Sequence, residues 1–156
     1  MVRVKYRYIL AELWTEQCKN KVKLPLKEKN LEQAIRDSVE NLHGDYGLAT
    51  IQAGFSIKLY NPATRVFIAR VHRKFHSVLS SSLPFITAIG KLKVCIRTLH
   101  LSGTIRSALK FLVVYDREKL TELIYTLQLS TEMQTELQEL IYKCHNRLAK
   151  RRLDVE

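Results

Sequence analysis

The feature that most limits the fold is a pair of adjoining apolar stretches with period two, residues 48–60 and 65–72, joined by Asn61-Pro62-Ala63-Thr64. In the first, Ile51, Ala53, Phe55, Ile57 and Leu59 face one way and Gln52, Gly54, Ser56 and Lys58 the other, as in a half-buried strand. A short polar turn with proline between two such stretches predicts an antiparallel hairpin. Helical periods flank it on both sides. Before it, Leu31, Ala34, Ile35, Val39 and Leu42 share one helix face, with Asn30 as N-cap, Gln33 three residues on, and an end at His43-Gly44. After it, Phe75, Val78, Leu79, Leu83 and Ile86 predict a helix over residues 73–90 with a kink at Pro84.

One more strand lies on each side. Residues 2–13 alternate, with Arg3, Lys5 and Arg7 near the start, and Val94, Ile96 and Thr98 alternate with Cys95, Arg97 and Leu99. The order is β-α-β-β-α-β, which predicts an α+β fold: a ferredoxin-like antiparallel sandwich of RRM-like topology, with both crossover helices on one face. This core takes residues 1–116. From Ile105 the period is helical again (Ala108, Leu109, Leu112, Val113). Two further helices are expected over about residues 117–129 and 131–152, the second capped by Ser130, so that residues 117–156 form a helical extension packed on the same domain. Residues 14–29, lysine-rich and containing Pro25, read as a surface loop, with a second basic contact as the alternative.

The charge is unevenly placed. No acidic residue occurs between Asp45 and Asp116, while that stretch carries ten cations: Lys58, Arg65, Arg70, Arg73, Lys74, Lys91, Lys93, Arg97, Arg106 and Lys110. The remaining sequence is nearly balanced, with 16 basic and 15 acidic residues, so almost the whole net charge of +11 belongs to the middle section. A long stretch without carboxylates suits a polyanion-binding surface better than mere solubility does.

Within it, a strand runs through Leu101-Ser102-Gly103-Thr104 into a helix. Ser102 or Thr104 can cap that helix, and Gly103 lets the backbone turn, by positive φ or by close approach to a ligand. Unpaired N–H groups at such a start, beside Arg97, His100 and Arg106, make an anion site. The expected polyanion-contacting set is Arg3, Lys5, Arg7, Arg70, Arg73, Lys74, Arg97, His100, Ser102, Gly103, Thr104, Arg106 and Lys110.

Several chemistries are disfavoured. Autonomous hydrolysis commonly needs carboxylates near a cleft, and the basic core has none, so no catalytic residue is expected. His72 and His76 lack a third ligand, and the three cysteines contain no CxxC pair, so neither a metal site nor a disulfide framework is expected. Cys95 reads as a core or half-buried thiol. No apolar run approaches the roughly 20 residues of a membrane span, so a soluble intracellular protein is expected. Tyr6, Tyr8 and Phe67 could stack bases as an RNA-recognition motif does, but Thr64 to Arg73 (TRVFIARVHR) lacks the glycine and paired aromatics of that signature.

The chain resembles the small Pop-five type protein subunit of ribonuclease P and its relative ribonuclease MRP. The resemblance rests on Met1-Val2-Arg3 with Arg7-Tyr8-Ile9-Leu10, on Gly44-Asp45-Tyr46-Gly47, on Ser82-Leu83-Pro84-Phe85-Ile86-Thr87, and on Arg97-Thr98-Leu99-His100 with Ser102-Gly103-Thr104-Ile105-Arg106. It implies a non-catalytic subunit that supports a catalytic RNA, which removes the 5′ leader of precursor tRNA in ribonuclease P or processes ribosomal RNA precursors in ribonuclease MRP. It also implies a barrel-shaped protein partner among other subunits, magnesium on the RNA rather than on the protein, and residence in the nucleus, often the nucleolus. Two alternatives stand beside it: a stand-alone RRM-type module for single-stranded RNA, and a small acylphosphatase-like enzyme, whose glycine-rich loop after the first strand is missing.

Overall fold

The computed structural model describes residues 4–16 and 24–127. The chain divides into two compact units, Met1–Ala108 and Leu109–Glu156. In order, the elements are β1 (Tyr6–Trp14), α1 (Glu28–Gln52), β2 (Ser56–Asn61), β3 (Val66–His72), α2 (His76–Ser82), β4 (Ala88–Ile89), β5 (Leu92–Lys93), β6 (Cys95–Ser102) and α3 (Ile105–Leu127). The fold is α+β. Four strands form one sheet in the order β2-β3-β1-β6, and each neighbouring pair is antiparallel.

Strand alternation sends Ile9, Ala11 and Leu13 of β1 and Phe67, Ala69 and Val71 of β3 to the same face. There they join Leu31, Ile35 and Val39 of α1, four residues apart on one helix face, and Leu79 of α2 in a single buried cluster. Both crossover helices therefore share that face. Leu10, Leu59, Val66 and Ile68 are buried on the second face. The second face also carries Tyr6, Tyr8, Arg70 and His72.

Four boundaries differ from the pattern-based expectation. First, the helix does not stop at Gly44. That glycine is non-helical (φ 67°, ψ −168°), but helix resumes and continues to Gln52, so residues 48–52 are not strand and β2 begins only at Ser56. The two segments meet closely: a Cβ on buried Gly47 would run into Cβ of His43 and lie 3.4 Å from Val39. The helix begins at Glu28 rather than after Asn30, and its N-cap, Lys27, makes no side-chain capping bond.

Second, the helix expected to reach Gly90 ends at Ser82 and passes through a 3₁₀ turn at Leu83–Phe85 that contains Pro84. Proline has no N–H for the helix ladder. The next residues form the β4–β5 hairpin instead, Ala88 opposite Lys93 and Ile89 opposite Leu92, with Gly90 in its turn at φ 60°. Third, α3 is one continuous helix through Asp116 and Arg117, where no glycine or proline interrupts it. Fourth, Leu24 and Leu26, within the expected surface loop, are buried in the core, and Leu24 N–H donates to the Pro62 carbonyl at 3.0 Å. The expected helix over 131–152, with its Ser130 cap, and Arg3 lie outside the described residues.

Candidate nucleic-acid interface

The register decides which predicted residues meet. Tyr6 stands opposite His72 and Arg7 opposite Val71 on β3, while Tyr8 stands opposite Ser102 on β6. Because β1 is antiparallel to both neighbours, its start and the ends of β3 and β6 converge at one end of the sheet. Residues from three distant parts of the chain gather there: Lys5 and Arg7, then Arg70, Arg73 and Lys74, then Ser102, Gly103 and Thr104. Arg73 N–H donates to the Lys5 carbonyl at 2.9 Å, fixing the two backbones together. A cleft of about 800 Å³ opens at this end, lined by Lys5, His72, Arg73 and Lys74 above apolar Val4 and Ala53, and among the described residues no carboxylate lines it. Lys5, Arg73 and Lys74 are exposed.

The strand-to-helix turn is built around Thr104. Its hydroxyl accepts from Ser107 N–H at 3.2 Å, which caps α3, and its carbonyl accepts from the Ser102 hydroxyl at 2.9 Å and from Ala108 N–H at 3.2 Å. Ser102 is thus a buried brace of the turn, and Thr104 its cap. Gly103 does not take positive φ, contrary to the first of the two reasons expected for it. Its role is spatial: a Cβ there would lie 2.9 Å from Nη1 of Arg7. The guanidinium of Arg7, from the first strand, lies across the turn and brings its charge to the helix start. Arg106 is exposed on the first turn of α3, and Lys110, one turn on, is exposed in the second unit.

Arg97 and His100 sit elsewhere. Arg97 faces Glu12 across the β1–β6 ladder, five residues before Ser102, or about 16 Å along the strand at 3.3 Å per residue. Arg97 and Arg106 therefore do not flank one site. The acid-free stretch of sequence is not acid-free in space, since Glu12 comes from β1. His100 stands opposite Leu10, with the β6 bulge at Leu99 between it and Thr98. Cys95 is exposed, not half-buried, because Val94 and Ile96 take the core positions on either side.

The aromatics do not form a base-stacking platform. Phe67 is fully buried on the helix-covered face. The Tyr6 ring stacks on His72 at 4.9 Å between centroids, and the Arg70 guanidinium carbon lies 4.5 Å from its centroid. His72 and His76 serve locally: the former also packs against Gly54, and Nδ1–H of the latter donates to the Arg73 carbonyl at 2.8 Å. Among the described residues no three histidine, cysteine or carboxylate side chains cluster as metal ligands.

Two contributors were missed in sequence. His72 lines the basic cleft, and the alternation of Arg70 and His72 with Ala69 and Val71 was the signal for it. Lys58 occupies a bulge in the β2–β3 ladder, between Ile57 opposite Ala69 and Leu59 opposite Ile68. Burial, and then the Arg70 charge, hold its ammonium below the ordinary lysine value of 10.5.

The comparisons with known proteins agree with this architecture. A chain in a cryo-EM structure of yeast ribonuclease MRP matches with a TM-score of 0.50 at 12% identity, covering 78% of this chain and 98% of that one, a likeness of fold alone. The protein described as ribonuclease P/MRP protein subunit POP5 in Homo sapiens is 36% identical over 128 residues, 80% of this chain and 77% of the relative. Its counterpart in Danio rerio is 34% identical over 157 residues, 96% of this chain and 90% of the relative. The sequence model of the Rpp14/Pop5 family matches residues 7–113, from the arginine that covers the turn to the helix that the turn begins, and the chain belongs to that family.

Proposed function

We infer that this chain is a non-catalytic, RNA-binding protein subunit of ribonuclease P and ribonuclease MRP. Membership of the Rpp14/Pop5 family over most of the chain supports the assignment to the particle. The observation that carries the mode of action is the basic end of the sheet, where Lys5, Arg73 and Lys74 line a cleft without a carboxylate among the described residues and Arg7 lies by a capped helix start. Such a surface holds backbone phosphates without reading sequence. In this reading the protein positions the RNA, and the chemistry belongs to the RNA, with magnesium bound there. The substrates are precursor tRNA for ribonuclease P and ribosomal RNA precursors for ribonuclease MRP. Other protein subunits, a barrel-shaped one among them, complete the particle, which works in the nucleus and nucleolus.

Affinity purification of the tagged chain from cells, with sequencing of the RNA that comes with it, tests this. The expected result is enrichment of both catalytic RNAs, together with no precursor-tRNA cleavage by the RNA-free chain. Absence of both RNAs, or magnesium-dependent cleavage without RNA, would overturn it.

A further inference from the structure

On the second face of the sheet, away from the strand-to-helix turn, lies a group of residues of which only Arg70 belongs to the interface above. Ser56 of β2 stands directly opposite Arg70 of β3, so both side chains leave the same face. The Ser56 hydroxyl and Nε of Arg70 are buried without a hydrogen-bond partner. Most buried polar groups are satisfied, and each exception calls for a physical cause. The Arg70 guanidinium is held against the Tyr6 ring at 4.5 Å, which fixes its plane. Lys58, in the bulge two residues after Ser56, is close enough to Arg70 for the two charges to oppose each other. Among the described residues neither cation pairs with a carboxylate.

We propose that Ser56, Lys58 and Arg70 form a phosphate-binding subsite on the β2–β3 face, with the Tyr6 ring as its rigid wall, which takes a phosphodiester of the RNA backbone. An oxyanion beside the exposed Lys58 ammonium accepts from the guanidinium and, once the Ser56 side chain turns outward, from the hydroxyl, and it neutralises the repulsion between two cations. Of the oxyanions that meet all three needs, a carboxylate among them, the phosphodiester is the one that the RNA-binding reading supplies. A metal ion is repelled by both charges, and an apolar group leaves both donors unpaired. Lys58, two residues after Ser56, follows it by strand alternation to the Arg70 face, and the bulge leaves it without a partner across the ladder. The proposal rests on the RNA-binding reading above and adds a contact on a second surface.

The test uses the full chain, followed by NMR at the Lys58 Cε and the Arg70 Nε–H and by thermal unfolding. Three additions are compared at equal ionic strength: sodium chloride, inorganic phosphate, and the dinucleoside monophosphate UpU, which carries a single phosphodiester. Phosphate and UpU should each give saturable shifts at both nuclei and should return the Lys58 ammonium toward its ordinary titration range. Ser56→Ala removes an unpaired buried hydroxyl, so the melting temperature of the free chain should not fall, while the phosphate-induced rise in it should shrink severalfold. Arg70→Lys, which keeps the charge and loses the fork, should behave likewise. Shifts no larger than those from chloride, or the same phosphate response in Ser56→Ala, would overturn the subsite. A response to phosphate but none to UpU would overturn its assignment to the RNA backbone. A chain that responds to both yet recovers no catalytic RNA from cells would instead contradict the function proposed above and leave the subsite standing.

Discussion

Gly103→Ala isolates what the glycine does at the turn. The added Cβ would lie 2.9 Å from Nη1 of Arg7, closer than ordinary carbon–nitrogen contact, and nothing else lies within 4 Å except the Arg7 Cζ at 4.0 Å. The obstacle is the far end of a flexible side chain, and φ is not positive, so the backbone accepts alanine. Stability should change by no more than about 0.5 kcal/mol, as for most surface substitutions. What moves is the Arg7 charge. Losing one phosphate contact should flatten the slope of log affinity against log salt by about 0.7 to 0.9, according to the form of the strand. Over a fourfold rise in salt this slope change amounts to roughly a threefold difference in affinity. The assay is RNA-binding titration of the chain with its partner subunits at several salt concentrations, with urea unfolding in parallel. Arg7→Ala should flatten the slope equally, and the double variant should add nothing further, because both changes remove the same contact. Additive effects, or unfolding of Gly103→Ala by several kcal/mol, would refute the reasoning.

Other substitutions test other parts of the structure. Gly47→Ala should destabilise the chain by about 1 to 3 kcal/mol in urea unfolding, since its Cβ meets His43 and Val39 where the helix bends and has no flexible tip to displace. Gly90→Ala should lose about 1 kcal/mol from its positive φ while leaving the salt slope of RNA binding unchanged. Arg97→Ala, facing Glu12 and distant from the turn, should flatten that slope less than Arg7→Ala does. Lys58 titrates with a defined sign. Its pKa is lowered in the fold, so the unfolded chain binds more protons between the folded value and 10.5, and its contribution to stability rises with pH through that window. Lys58→Gln should therefore stabilise the free chain at pH 7 relative to the native sequence, with the advantage shrinking by pH 10.5; a constant difference would mean that neither burial nor the Arg70 charge acts on the ammonium.

The α+β class and the element order were legible because Leu31, Ile35 and Val39, and later Phe67, Ala69 and Val71, follow their periods without interruption. Boundaries were less legible. Ile51 and Phe55 fit both an alternating strand and a helix end, and only the close packing at Gly47, invisible in sequence, selects helix for residues 45–52. Pro84 signalled a break, and Gly90 a turn, but the hairpin between them has two-residue strands too short to show alternation. The candidate interface was legible in its residue types and not in its grouping. Arg7 and Gly103 lie far apart in the chain, and Arg97 and Ser102 lie near each other, yet antiparallel register joins the first pair and the extended β6 strand separates the second.

The most direct test is to map RNA contacts in the assembled particle by ultraviolet crosslinking and mass spectrometry of the crosslinked peptides. Crosslinks should concentrate on residues 5–8, 70–74 and 101–106, the three stretches that converge at one end of the sheet. Crosslinks gathered instead on the exposed side of α1, where Glu32, Asp37 and Glu40 lie, would contradict the account.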